Sequence, residues 1–296
     1  MAAMETVRIE GVDLALAHPD DLPLEWTGRE DLVDQLLAAW LVVEPRDLPL
    51  NPRLVGKPGV GKTTLAYGAA RRLGRDVYIF QATLDTRPED LLITPVVAGE
   101  GRIRYVASSL VSAMLKGGVA ILDEGNRMSE KSWASLAPLL DARRTVESIV
   151  AGIKVRAHPD FRFVTTMNDD ASTFELPDYI HSRLTPTILV DFPDEDEELA
   201  ILSGNLPFAP ESLLKWVVRF LSRAHEADEA YTVRDGINVA RYALKRLAHA
   251  GSDGSDAERR LREAVGAVLG EEALAYAPGG APEEPRGPHP LRPRPT

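Results

Sequence analysis

The sequence predicts an α/β fold: a five-stranded, mostly parallel sheet with helices on both faces, followed by a small all-helical domain. Three observations predict it. Short β-rich runs alternate with helical patterns through the middle of the chain, a glycine-rich loop joins the first of those strands to the first of those helices, and the strand pattern stops near Pro193. Such alternation puts helices on both faces of a parallel sheet.

The elements follow in order. Residues 1–21 read as an N-terminal extension and residues 22–192 as the α/β core. Within the core, Arg53–Val55, Val77–Phe80, Val119–Leu122, Phe161–Val164 and Pro186–Val190 are short and rich in β-branched or aromatic residues, as strands are. Helical patterns lie between them at Lys62–Leu73, Ala107–Leu115, Glu130–Leu140 and Asp178–Arg183. Two hairpins interrupt the alternation. One pairs Thr94–Ala98 with Arg102–Val106 across Gly99–Gly101, the other Thr145–Val150 with Ile153–Arg156 across Ala151-Gly152. The helical domain spans 193–276. Asp194–Glu198 opens a helix with negative charge in its first turn, and Glu211–Glu226, Val233–His249 and Asp256–Tyr276 continue the pattern. Residues 277–296 hold one large apolar side chain, Leu291, and cannot offset their ordering entropy by burial, so a disordered Pro-rich tail is expected.

Composition narrows the function. The 296 residues suffice for about two domains. Thirty-four Lys and Arg against 45 Asp and Glu give a net charge of −11, which argues against a nucleic-acid partner. There is no cysteine, so disulfide scaffolds, thiolate metal sites and cysteine nucleophiles are excluded. The longest apolar run, Leu36–Val43, falls short of the roughly 20 residues a membrane span requires. No signal peptide is visible, so a soluble, cytoplasmic protein is the expectation.

The chemistry starts at Gly56-Lys57-Pro58-Gly59-Val60-Gly61-Lys62-Thr63, which fits G-x-x-x-x-G-K-[ST] between a strand and a helix, with Thr64 next in that helix. Glycines let the loop's N–H groups converge on phosphate, and the following helix points its positive end at the same anion. In this pattern the lysine reaches the β and γ phosphates and the threonine hydroxyl ligates magnesium. Lys62, Thr63 and the loop are therefore the nucleotide site.

Sixty-one residues after Lys62, the apolar run Gly118–Leu122 ends in Asp123-Glu124. A carboxylate at a strand's C-terminal end can reach the metal beside Thr63, and the next one can deprotonate a water. A second core run, Phe161–Met167, ends in Asn168, placed to hold that water or sense the γ-phosphate. Arg183 precedes the fifth strand. Arg234 falls in the first turn of a helix whose cap is Thr232 with Asp235 three residues on.

That order (phosphate loop, Asp-Glu strand, strand-end Asn, Arg before the last strand, Arg in a helical region) resembles AAA+ ATPases. The details resemble the MoxR-like branch, which includes dynein-related and chelatase-motor relatives. Leu22–Glu30 is similar to the segment that family lays over the adenine, Asn126-Arg127 to the pair that trails its Walker B strand, and the two hairpins to its helix-2 insert and pre-sensor-1 hairpin. The resemblance implies ATP and Mg2+ as ligands, with Thr63 and Asp123 on the metal. It makes Glu124 the general base and Asn168 sensor 1. Arg183 becomes an arginine finger acting on a neighbour's nucleotide and Arg234 becomes sensor 2. It implies a homo-oligomeric ring, hexameric in this family, and a protein client or cofactor that often carries a von Willebrand factor A domain. Gly125 departs from the family, which has a β-branched residue there; a looser strand end is the expected consequence. The alternatives are a chelatase-like motor, a GTP-using restriction-like motor and a nucleotide-dependent scaffold. Trp26, Trp40, Trp133 and Trp216 read as packing residues and His181 as structural or interfacial.

Overall fold

A computed structural model describes residues 5–23, 25–98, 102–169, 175–250 and 256–279. The chain divides into two compact units, Met1–Phe192 and Pro193–Thr296. The turn at Gly99–Gly101 and the greater part of the Pro-rich tail lie outside the described residues.

The first unit opens on a hairpin, β1 (Thr6–Ile9) and β2 (Val12–Ala15), which the sequence reading left unassigned within its N-terminal extension. Helix α1 (Glu30–Trp40) was also unassigned; it buries Leu32, Val33, Leu36 and Trp40 along one stripe. Then come β3 (Arg53–Gly56), α2 (Lys62–Arg72), β4 (Val77–Gln81), α3 (Pro88–Leu91), β5 (Ile93–Val97), β6 (Ile103–Ala107), α4 (Ser109–Lys116) and β7 (Val119–Asp123). Helix α5 (Glu130–Leu136), the hairpin β8 (Thr145–Ser148) and β9 (Ile153–Arg156), β10 (Arg162–Asn168), α6 (Asp178–His181) and β11 (Thr187–Leu189) complete it. Helix α5 stops four residues before the expected Leu140, because Pro138 has no N–H to extend the ladder.

The main sheet runs β11-β3-β10-β7-β4 with every pair parallel. Alternation along each strand splits its side chains between two cores. Val119, Ile121, Val164 and Leu54 pack under α1 and α2, whereas Ala120, Leu122 and Phe163 pack under α4 and α5. The strands therefore all deliver their C-terminal ends to one edge. The β5–β6 hairpin is joined by β1 and β2 into a separate sheet ordered β1-β2-β6-β5. Asp20 caps the open edge of β4: its carboxylate accepts from the Ile79 N–H at 2.7 Å while its own N–H donates to Val77 O at 2.7 Å.

The second unit is helical: α7 (Glu195–Asn205), α8 (Glu211–Glu226), α9 (Val233–Ala250) and α10 (Ala257–Leu269), around one apolar core. Asp194 and Glu197 close a capping box on α7. The stretch expected as one helix to Tyr276 breaks at Gly270 and resumes as a 3-10 segment, Glu271–Tyr276. No helix among the described residues is long and apolar enough to cross a membrane.

Candidate nucleotide site

The glycine-rich loop leaves β3 at Gly56 and enters α2 at Lys62. Gly59 and Gly61 have φ of +83° and +92°, a region a Cβ disfavours. Val60 is turned into the core under α2, while Lys57 and Pro58 face solvent. Lys62 is buried; its amine donates to Gly56 O at 2.9 Å and Lys57 O at 2.7 Å, which holds it inside the curve of the loop. Thr63 and Thr64 lie half-buried in the first turn of α2, at the positive end of its dipole. The Trp26 indole lies against this turn, 3.4 Å from where a Cβ on Gly61 would stand, and Leu22 N–H donates to the Tyr67 hydroxyl at 2.9 Å.

β7 ends beside the loop. Asp123 shares the face of Val119 and Ile121, and its Oδ1 accepts from the Thr63 hydroxyl at 2.6 Å and from the Thr166 hydroxyl at 2.6 Å. In a continuing strand Glu124 would point to the opposite face. Instead it adopts a left-handed φ of 56°, a conformation that costs a non-glycine residue on the order of 1–3 kcal/mol. Its carboxylate accepts from Asn168 Nδ2 at 3.2 Å and forms an ion pair with Arg127 at 2.6 Å. Its N–H donates to Thr166 Oγ1 at 2.9 Å. Asn168 is itself anchored: Asn126 Nδ2 donates to its carbonyl at 2.8 Å, and its N–H donates to Asn126 Oδ1 at 3.3 Å.

The expectation for Gly125 needs correction. A Cβ there would stand 2.3 Å from Thr165 Oγ1 and 3.0 Å from the Trp133 ring, so the space is already filled and the strand end is packed rather than loose.

Arg183 stands at the other edge of the sheet. Asn51, which precedes β3, donates through Nδ2 to Arg183 O at 3.3 Å. Five residues of extended chain separate Asn51 from Gly56, about 16 Å, farther than an arginine side chain extends. The Arg183 guanidinium donates to Tyr179 O and lies 3.6 Å from Asp141. It borders a cleft of about 250 Å³ lined also by Leu50, Asn51, Leu140 and Asp141. Asp141 is held down to about 2, first by its hydrogen bond from Arg143, with the Arg183 charge a lesser cause. His181, near Arg183, faces Arg53 at 3.0 Å. Arg234 belongs to the second unit, where it is exposed in the first turn of α9; Thr232 and Asp235 cap that helix through bonds of 2.8 and 3.4 Å. The indoles of Trp40, Trp133 and Trp216 are buried in the cores.

The structure therefore brings Gly56–Thr64, Asp123, Glu124 and Asn168 together, and holds Arg183 apart from them. Thr63 and Asp123 offer a hydroxyl and a carboxylate oxygen 2.6 Å apart, a hard-oxygen pair that suits Mg2+ completed by phosphate oxygens. Among the described residues no cluster of three or more His, Asp or Glu offers a protein-only metal cage. Sequence reasoning missed Thr166, gave Arg127 no contact with Glu124 and did not foresee Asp141. Thr166 was findable: it lies two residues before Asn168, hence on the same face of β10.

Comparison with known proteins bears on the fold. Residues 53–184 match the AAA domain family of the dynein-related subfamily. The von Willebrand factor A domain-containing protein 8 of Mus musculus is 29% identical over 212 residues, 65% of this chain but 11% of that protein. An uncharacterized protein of Staphylococcus aureus is 26% identical over 202 residues, 64% of this chain and 76% of the relative. Among solved structures, the Thermotoga maritima RuvB Holliday junction branch migration motor superposes with a TM-score of 0.56 at 16% identity, covering 81% of this chain and 70% of that one. A variant of RuvB gives 0.58 at 16% identity, covering 82% and 70%. The fold is the AAA+ P-loop fold.

Proposed function

We propose that the chain is an ATP-hydrolysing motor of MoxR type, working with Mg2+ in a ring of its own copies, hexameric by resemblance. The observation that carries this reading is the polar chain from Thr63 through Asp123 and Thr166 to Glu124 and Asn168, assembled where β3, β7 and β10 end together beside a phosphate loop.

Each residue has a place in phosphoryl transfer, which requires positioning and charge neutralisation more than covalent help. The loop N–H groups and Lys62 grasp the phosphates. Thr63 and Asp123 would hold Mg2+, which neutralises charge on the β and γ oxygens when bound. Glu124 takes a proton from water as its oxygen bonds to the γ-phosphorus and the bond to ADP breaks; Asn168, already hydrogen-bonded to Glu124, orients the pair. Arg183 lies too far from its own loop to serve it, so its cation acts on a neighbouring copy's nucleotide. Arg234 follows the γ-phosphate from the helical unit. The client is a protein, and a von Willebrand factor A domain is the favoured partner, since the mouse relative's name puts one in the same polypeptide as its similar region. The net charge of −11 disfavours nucleic acid, and a cytoplasmic location fits the reading.

Glu124→Gln tests it. The variant should bind ATP as wild type does and turn it over about 10²- to 10⁴-fold more slowly. Near-normal turnover overturns the assignment. Faster turnover of GTP than of ATP by the wild type would move the chain to the GTP-using class.

A further inference from the structure

The two adjacent threonines of β10 differ in what their hydroxyls hold. Thr165 Oγ1 donates to the Leu122 carbonyl at 2.9 Å, on the face packed under α4 and α5. Thr166 Oγ1 donates to Asp123 Oδ1 at 2.6 Å and accepts from the Glu124 N–H at 2.9 Å. A hydroxyl has one proton and two lone pairs, so this one atom satisfies a carboxylate and a backbone donor in consecutive residues at once.

Both contacts bear on chemistry. The Asp123 oxygen that Thr166 fixes is the one Thr63 also touches, at 2.6 Å, so it is pinned between the loop helix and β10. The Glu124 N–H that Thr166 receives belongs to a residue at φ 56°, whose backbone turn sends its carboxylate to Asn168 rather than to the opposite face. Thr166 is 1% exposed, and its β-branched side chain is stiff about χ1. No water competes for its bonds and little rotation blurs them.

Resting on the hydrolysis reading above, we infer that Thr166 is a positioning residue: it sets the metal-side carboxylate of Asp123 and the base Glu124 relative to one another, and so governs turnover without governing nucleotide affinity. It acts through those two residues.

The test compares Thr166→Val, Thr166→Ser and Thr165→Val in the full chain by steady-state ATP hydrolysis and ATP binding. Thr166→Val should lower kcat about 10- to 100-fold, the range typical when a group that orients a ligand is lost, while KM and ATP affinity stay within about threefold. Thr166→Ser, which keeps the hydroxyl, should recover kcat to within about threefold. Thr165→Val removes a hydroxyl from the same strand and should leave kcat within about twofold, whatever it does to thermal stability. Placed on Glu124→Gln, Thr166→Val should add a smaller loss than it causes alone, because the part of its effect that passes through the Glu124 carboxylate is already gone while the Asp123 contact remains. Should the valine variant fail to fold, Thr166→Ala carries the same comparison. An unchanged kcat in Thr166→Val overturns the assignment, as does a parallel loss of ATP affinity or a serine variant as poor as valine. Absence of any Glu124-dependent turnover in the wild type overturns the hydrolysis reading and this assignment with it. Turnover that survives the valine overturns the assignment alone.

Discussion

The two edges of the parallel sheet carry opposite kinds of polar structure. At the C-terminal edge, Thr63, Asp123, Thr166, Glu124, Asn168 and Asn126 interlock through bonds of 2.6–3.3 Å. At the N-terminal edge, Arg183 is held loosely, by one backbone carbonyl and by a carboxylate 3.6 Å away that Arg143 already claims through two side-chain bonds. The difference teaches how the labour is divided. The interlocked edge has everything needed to place a phosphate, a metal and a base; its loop carries Lys57 beside Lys62, and its Arg127 is paired with Glu124. The loose edge has the weakly paired Arg183 and no phosphate loop. On the proposed reading, two copies set edge to edge complete one site.

Removing the cation should break that comparison most severely. Arg183→Ala should reduce turnover about 10³-fold or more while ATP affinity holds, since a finger supplied from a neighbour is worth about 10³–10⁵. A mixture of Arg183→Ala with Lys62→Ala subunits checks it: the first brings an intact loop, the second an intact Arg183, and their contact should restore activity that neither has alone. If the mixture stays inactive, the two edges do not meet.

How much of this was legible in the sequence follows from the range of each signal. The five strands and the loop were legible because alternation and the glycine pattern are local. The Asp123-Glu124 pair was legible because it terminates an apolar run. What stayed hidden depends on register. Thr166 acts because parallel pairing of β10 with β7 brings it level with the end of β7, and Asp141 because a chain reversal returns it to Arg183. The β1–β2 hairpin was missed for a similar reason: strands of four residues gain their stability from joining β6, not from a pattern of their own. Gly125 misled because its environment, Trp133 and Thr165, comes from two other elements.

A smaller effect should sharpen the account of the interlocked edge. Asn126 is the peg on which the end of β10 hangs, and its loss leaves the buried N–H and carbonyl of Asn168 without partners. Asn126→Ala should destabilise the chain by about 1–3 kcal/mol and slow turnover about 10-fold. Thermal unfolding and kcat measured on the same preparation check both. A stability loss with unchanged kcat would show that Asn168 keeps its place without the peg.

The smallest effect concerns the loose edge. Asp141 is ion-paired to Arg183 and stays partly exposed, so the pair is weak and solvent-screened. The carboxyl sits at about 2, below its ordinary 3.8, chiefly through the hydrogen bond from Arg143. A carboxylate whose folded value is depressed contributes stability above the unfolded value and loses it as pH falls through the folded one. For Asp141 that loss falls below pH 4, so its carboxylate stays ionised from pH 6 to 9. On the proposed reading, a pair that holds Arg183 to its own subunit competes with a neighbour's phosphate for the same guanidinium. Asp141→Asn should therefore raise turnover, by no more than about threefold given the weakness of the pair, and by the same factor at every pH from 6 to 9. A tenfold fall would mean that Asp141 aims Arg183 at the neighbour rather than detaining it, and the N-terminal edge would then be as pre-set for catalysis as the edge that carries the phosphate loop.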